Sequence, residues 1–276
     1  MIFGEIYPQN ILEEYINCYR LRHFIIPSHI TPFPKPFPPH PEQCITFYPR
    51  GSELTEFVNS KYVVKRPRSI ISGQFTSRLN RSSASNEIII IVVVFKPGAL
   101  YRLTGIPFNL LQNQDLDLEA VFPKEGRIVN ELLSSSEDYH EMIGIIESFM
   151  MNLVRNVKID YRHSDKIFNL MCLNQEKYSL DWLANQACLS NRQLQRKSNQ
   201  YIGVRPDLFA RIVRFHQSYK MRLLYPQMDW LSIALHSGYY DYQHLTKDYK
   251  EFVNSTPNLF FSDEYKSLER VLGLNK

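Results

Sequence analysis

Cysteine is scarce. Four residues in 276 (Cys18, Cys44, Cys172 and Cys188) are cysteines, and no two stand in a C-x-x-C pair. That excludes the zinc and redox motifs built on that pair. A chain of this length buries enough core to fold without disulfides, so the four read as small buried hydrophobes in a reducing compartment. Long apolar runs are missing as well. The longest, Ile88–Phe95, has eight residues, where a membrane helix needs about 20. No charged-then-apolar leader with a small-residue cleavage site opens the chain, so a cytoplasmic protein without membrane contact is expected. Enzyme signatures are equally thin. There is no glycine-rich phosphate loop, no G-x-S-x-G and no G-x-G-x-x-G. His23, His29, His40 and His140 are scattered, with no H-x-H pair to ligate a metal. Glu13 and Glu14 are adjacent and diverge on a helix, so they form no acid–base pair. The expectation is a chain with no metal, no cofactor and no catalytic residues.

What is present is globular composition with uneven charge. Hydrophobic residues make up 44% and charged residues 22%, which excludes disorder over most of the length. At roughly 150 residues per domain the length suggests about two domains. Residues 1–150 carry a net charge of −2 and residues 151–276 a net charge of +6. Between 192 and 222 stand eight basic residues and a single acid, Asp207. A basic run of this kind points to nucleic acid when it coincides with a binding motif.

The first half reads as strands and turns. Seven prolines (Pro27, Pro32, Pro34, Pro36, Pro38, Pro39 and Pro41) make residues 27–41 a surface loop between strands. Cys44–Tyr48, Tyr62–Lys65 and Ile70–Gln74 follow as short strands. Ile88–Phe95 is almost wholly β-branched and suits a strand buried on both faces. Lys96-Pro97-Gly98 ends it, and a short element follows over Ala99–Leu103. Short strands with Gly and Pro punctuation predict a small barrel or sandwich. From about Asp138 the period becomes helical: Met142, Ile146, Phe149 and Leu153 share one stripe that packs against the strands. Residues 158–164 are polar and mark a boundary, after which the chain reads as short helices. The predicted fold class is α+β, with an N-terminal β-barrel domain over 1–157 and an all-α domain over 165–276.

The last third contains an internal repeat. Leu194, Pro206 and Phe209 match Leu245, Pro257 and Phe260 at an offset of 51, while Ala184 and Ala234 match at 50. The second copy therefore has one extra residue in its turn. Each copy reads as a small Ala that lets two helices approach, a turn favouring φ > 0, and an inward Leu that locks the following helix. This is helix-turn-helix spacing, found twice in register beside a basic run. The two copies are joined by a predicted helix from Pro206 to about Leu224, opened by proline and stopped before Pro226. Its 19 residues would span about 28 Å, close to one turn of DNA.

The segment Ile233-Ala234, Gly238-Tyr239-Tyr240-Asp241-Tyr242-Gln243-His244-Leu245-Thr246-Lys247-Asp248-Tyr249-Lys250 and Thr256-Pro257 resembles the signature of AraC/XylS-type transcription regulators. Leu183-Ala184, Leu189-Ser190, Arg192-Gln193-Leu194-Gln195-Arg196-Lys197 and Gly203-Val204-Arg205-Pro206 resemble the first helix-turn-helix of that family. The match covers about residues 165–262. Phe95-Lys96-Pro97-Gly98-Ala99 and Gly105-Ile106-Pro107 are similar, more loosely, to the cupin-like barrel that often precedes this domain. The resemblance implies sequence-specific binding of double-stranded promoter DNA, usually as an activator working with RNA polymerase. It also implies an N-terminal domain that senses a small-molecule effector or forms a homodimer. Three residues depart from the pattern. Cys188 stands at the first turn, where φ > 0 strains a side chain with a Cβ. Ser198 replaces a large aromatic and predicts loose packing. Asn254 replaces a glycine, and Asn tolerates the left-handed conformation.

With Leu194 and Leu245 inward, Arg192, Gln195 and Arg196 and then Tyr242, Gln243, Thr246 and Lys247 are the candidates to touch base edges. Lys197, Arg205, Arg214 and Lys250 are the candidates for phosphates. The aromatics Tyr239, Tyr240, Tyr242, Tyr249 and Phe252 read mostly as the core of a small helical domain. In the first half, His23, Tyr48, Arg50 and Gln74 are the polar residues placed near a barrel mouth that an effector would occupy. Three alternatives stay open on sequence. One is a barrel filled by its own side chains that only dimerises. The others are a catalytic barrel joined to a DNA-binding half, and an interaction module that no longer binds DNA.

Overall fold

An unbroken β-branched strand must be covered on both faces, and the first half is arranged around that requirement. The computed structural model describes residues 2–30, 33–58, 62–157, 162–173 and 178–271. The described strands are β1 (Ile2–Ile6), β2 (Ile16–Ile25), β3 (Lys35–Phe37), β4 (Gln43–Arg50), β5 (Glu53–Phe57), β6 (Tyr62–Lys65), β7 (Ser69–Ser72), β8 (Leu79–Ser83), β9 (Glu87–Phe95) and β10 (Asp115–Asp117). They make a six-stranded sheet in the order β1-β2-β9-β4-β7-β10 and a four-stranded sheet in the order β3-β8-β5-β6. All pairings within both sheets are antiparallel. Strand β9 lies between β2 and β4, at the centre of the larger sheet. Its alternate residues Ile89, Ile91, Val93 and Phe95 enter one core with Tyr19, Phe47 and Ile71. Ile88 and Ile90 face the other way, with Phe24, Tyr48 and Ile70.

The barrel is open, since no backbone pairing joins the two sheets among the described residues. Their side chains meet instead. Tyr48 donates to Glu53 at 2.7 Å, and buried Arg66 donates to Thr55 Oγ1 and to Asp115, both at 2.6 Å. A small pocket of about 50 Å³ lies between the sheets beside Arg22, Phe24 and Arg81. Where closure fails, an open cleft of about 460 Å³ runs past Thr55, Tyr62, Arg66 and Asp115. The proline-rich segment is largely loop, as its composition predicts. It also supplies β3, an edge strand, where Pro36 is tolerated; Pro32 lies outside the described residues. Strand β7 stops one residue before Gly73, where a Cβ would lie 1.8 Å from the Leu111 carbonyl oxygen.

Helices cover the opposite face. They are α1 (Ala99–Thr104), α2 (Leu118–Val121), α3 (Pro123–Ser135) and α4 (Tyr139–Arg155). Asp138 caps α4 by accepting from the Glu141 amide at 2.8 Å. The predicted stripe of Met142, Ile146, Phe149 and Leu153 is buried against the sheet, and the Phe149 ring meets Phe47 edge-on at 6.3 Å. Of the expected polar boundary, residues 158–161 lie outside the described residues.

The remainder is helical: α5 (Arg162–Leu173), α6 (Leu180–Gln186), α7 (Asn191–Ile202), α8 (Pro206–Leu224), α9 (Trp230–His236), α10 (Tyr242–Val253), α11 (Pro257–Glu264) and α12 (Leu268–Val271). Phe168 on α5 and Leu194, Tyr201 and Ile202 on α7 belong to the same buried cluster as Tyr19 and Phe47. The first helical unit is thus packed into the core of the sheet domain. The second unit has a core of its own around Ile233, Leu245, Tyr249, Phe252 and Phe260. The loose packing expected at Ser198 is not found. Its side chain is fully buried and its hydroxyl donates to the Val204 carbonyl at 2.7 Å.

Candidate nucleic-acid interface

Each repeat copy is built by the same local devices. In the first, Ser179 caps α6 and Ser190 caps α7. Ser190 and Gln193 form a reciprocal capping box: Ser190 Oγ accepts from the Gln193 amide, and the Gln193 side chain accepts from the Ser190 amide at 2.8 Å. In the second copy Asp229 caps α9 and Asp241 caps α10. The turns superimpose in their bonding. Leu189 donates to the Ala184 carbonyl and Tyr239 to the Ala234 carbonyl, both at 2.9 Å. Cys188 takes φ 52° and Gly238 φ 80°, so the left-handed turn predicted from the repeat is present in both. The residue before the second cap, Tyr240, is the extra one, and it is 81% exposed. Asn254 closes α10 at φ 52°, as its side chain allows, where Gly203 closes α7 at φ 98°.

The buried residues Leu194, Leu245 and Tyr249 point inward, which turns the opposite faces of α7 and α10 outward. On α7, Arg192, Gln195 and Arg196 are exposed together. Lys197 is half-buried, with its ammonium 5.6 Å from the centre of the Tyr201 ring. On α10, Gln243, Lys247 and Lys250 are exposed. Tyr242 is half-buried against the second core, and the Thr246 hydroxyl donates to the Tyr242 carbonyl at 2.9 Å. Both are less exposed than their counterparts in the first copy, Asn191 and Gln195. Arg205 is exposed and paired with Asp207 at 3.1 Å.

Arg214 requires a correction. It does not face outward toward phosphate: its guanidinium lies over the Tyr239 ring at 4.5 Å and 3.6 Å from Asp248. Asp248 sits on the inner face of α10 with a side chain 2% exposed. It also accepts from Arg211 at 2.7 Å and from the Tyr239 hydroxyl at 3.0 Å. A buried carboxylate needs such partners, and the pairing fastens α10 to α8. Burial raises the Tyr239 phenol well above its ordinary range, and the carboxylate beside it pushes the same way.

Residues 183–262 match the family described as helix-turn-helix domain, and residues 4–117 match a domain family of unknown function, DUF6597. The chain carries a helix-turn-helix domain over residues 183–262. Among solved structures it is similar to ToxT from Vibrio cholerae, at 12% identity and a TM-score of 0.47, over 88% of this chain and 98% of that one. A structure of unsaturated fatty acid-bound wild-type ToxT matches at 12% identity and a TM-score of 0.48, over 91% and 96%. An AraC-type regulator from Chromobacterium violaceum matches at 25% identity and a TM-score of 0.34, over 37% and 92%. No curated protein matches the chain. No described helix is long and apolar enough to cross a membrane. Among the described residues no group of three or more His, Cys, Asp or Glu side chains is placed to hold a metal ion.

The four residues expected at an effector site are not brought together, which is a second correction. His23 contacts the Tyr139 hydroxyl at 2.7 Å and Glu87 at 3.0 Å. Tyr48 is spent on Glu53 and Arg66 inside the barrel. Arg50 donates to the Ser134 and Ser136 carbonyls, and Gln74 to the His40 and Phe75 carbonyls. Each satisfies a local backbone or side-chain group that spacing along the sequence does not reveal.

A cavity of about 280 Å³ lies elsewhere, between the sheet domain and the helix-turn-helix domain. Arg20, Arg22, Lys35, Phe37, His40 and Glu42 line one side; His216, Tyr219, Lys220, Leu223, Glu264 and Arg270 line the other. His40 and His216 face each other across it with ring centres 6.1 Å apart. Burial lowers His40 to about 4 and His216 to about 3, so both rings are neutral at pH 7. Burial raises the Glu42 carboxyl, but the hydrogen bonds and charge of Arg20 outweigh it and hold the group far below its usual range.

Proposed function

We propose that the chain recognises promoter DNA by placing α7 and α10 in successive major grooves, with residues 165–276 as the reading domain. The observation that carries this reading is the pair of equivalent helices held by one rigid connector. Helix α8 has 19 residues and so spans about 28 Å, near the 34 Å pitch of the duplex. Each recognition helix turns a polar, basic face outward, with Arg192, Gln195 and Arg196 on one and Gln243 and Lys247 on the other. Arg suits the guanine edge and Gln the adenine edge. Both helices belong to one chain, so a complete site needs no second copy. Selection from a pool of random duplexes tests this. The enriched sequence should hold two short base-specific elements about one helical turn apart. Enrichment of a single element, or of none, removes the reading.

Residues 1–157 are proposed as the effector-sensing domain, with the inter-domain cavity as the sensor site. Its walls come from both domains, so a ligand there touches the sheet and α8 at once. Arg20, Arg22, Lys35, Lys220 and Arg270 outnumber Glu5, Glu42 and Glu264, while Leu21, Phe37, Pro38 and Leu223 supply apolar wall. That lining suits a small acid with a hydrocarbon tail, the chemistry of the unsaturated fatty acid held by ToxT. A monounsaturated fatty acid should raise the melting temperature, since a ligand at about 100 times its Kd adds about 2.7 kcal/mol to stability. The shift should shrink in Lys220→Ala. An unchanged melting curve for the native chain would rule out this ligand class.

A further inference from the structure

The last four carbonyls of an α-helix have no partner within it. In both recognition helices the N-terminal domain supplies a partner, and it does so at the same position of the repeat. Gln43 Nε2, on β4, donates to the Tyr201 carbonyl of α7 at 2.7 Å in a fully buried bond. The Arg78 amide, at the entry to β8, donates to the Phe252 carbonyl of α10 at 2.8 Å. Tyr201 and Phe252 are related by the offset of 51 that relates Leu194 to Leu245. Each stands two residues before the left-handed residue that closes its helix, Gly203 or Asn254.

The two ties are firmly held. Gln43 Oε1 accepts from the Gly98 amide at 3.0 Å, which orients its NH₂ toward Tyr201. Gly203 comes so close to the sheet domain that a Cβ there would lie 2.9 Å from the Phe108 carbonyl oxygen. The Arg78 guanidinium lies 3.5 Å from Asp263 and 5.7 Å from the centre of the Phe260 ring. Gln43 belongs to the six-stranded sheet, and Arg78 adjoins β8 of the four-stranded sheet. The two helical units have separate cores, and along the chain α8 alone joins them. A second link through the N-terminal domain therefore limits how the recognition helices turn about the ends of α8.

We infer that Gln43 and Arg78 are positioning residues for DNA recognition: they hold matching ends of α7 and α10 at a set separation and so select the spacing between the two elements of the DNA site. The inference rests on the DNA-binding reading above. The test uses the full chain, the duplex that the native chain enriches from a random pool, variants of that duplex with one or two base pairs added or removed between the elements, and a duplex with one element scrambled. Gln43→Met keeps the length of the side chain and cannot donate; Arg78→Pro removes the other amide donor. A net hydrogen bond contributes about 0.5–1.5 kcal/mol, so each variant should lose up to about tenfold on the two-element site. Binding to the single-element duplex should stay within about twofold, and the preference for one spacing should flatten. Arg78→Ala keeps the amide and must keep the native spacing profile. A loss of stability alone would lower binding to both duplexes together and leave the preferred spacing where it was. The inference fails if a folded Gln43→Met or Arg78→Pro chain, judged by a cooperative melt, retains the native spacing profile. Should Gln43→Met not fold, Arg78→Pro against Arg78→Ala decides alone. Failure of the native chain to enrich any duplex is a separate outcome, which removes the DNA-binding reading and this inference together.

Discussion

Affinity for duplex DNA should fall about a thousandfold when monovalent salt rises from 50 to 200 mM, because each phosphate neutralised contributes a slope of about −0.9 in log K against log salt. Six cations stand on or beside the outward faces: Arg192, Arg196, Lys197, Arg205, Lys247 and Lys250. If all six meet phosphates or displace counterions, the slope is about −5. Arg211 and Arg214 add nothing to it, since their guanidinium groups are committed to Asp248 and Glu251. Counting basic residues along 192–222 would have put both on the DNA and predicted a steeper line. Filter binding or fluorescence anisotropy on a random-sequence duplex measures the slope directly. A value shallower than about −2 would mean that these faces do not lie along the backbone.

The difference between those two counts shows where sequence reading ends. Patterns confined to one helix or one turn were legible. The offset of 51 located both recognition helices, and proline at position 206 with its stop before Pro226 located α8. Cys188 and Asn254 were recognisable as left-handed from their places in the repeat. The capping box of Ser190 and Gln193 has a local signal of its own, S-x-x-Q before the inward Leu194. Tyr240 stands among aromatics whose spacing reads as core. Its exposure follows from its being the one residue by which the second turn exceeds the first, a signal present in the change of offset from 50 to 51.

Pairings between distant segments were not legible. Arg214 and Asp248 are 34 positions apart, and nothing in the basic run marks two of its members as turned inward. The residues expected at an effector site, His23, Tyr48, Arg50 and Gln74, are likewise committed to partners on other elements, Tyr139, Glu53, Ser134 and His40 respectively. The strand order that brings Arg20, His40 and Lys35 against α8 to form the inter-domain cavity depends on β9 lying between β2 and β4. The unbroken β-branched run of β9 reveals that it is buried on both faces, not which strands flank it. A serine in place of an aromatic likewise suggested a void at position 198, where the surrounding chain instead closes over a satisfied hydroxyl.

The division of labour on the two outward faces is the central claim, and paired substitutions test it most directly. Arg196 is exposed on α7 among residues suited to base edges, while Lys250 is exposed near the end of α10, beyond Gln243 and Lys247. Dissociation constants should be measured for the native chain, Arg196→Ala and Lys250→Ala, each on the enriched duplex and on a scrambled duplex of equal length. A bidentate base contact discriminates by about 1–3 kcal/mol, so Arg196→Ala should lose roughly 5- to 150-fold on the enriched site and little on the scrambled one. Lys250→Ala should weaken both duplexes by similar factors and reduce the salt slope by about one. Equal losses on both duplexes from Arg196→Ala would contradict the assignment of that face to base reading.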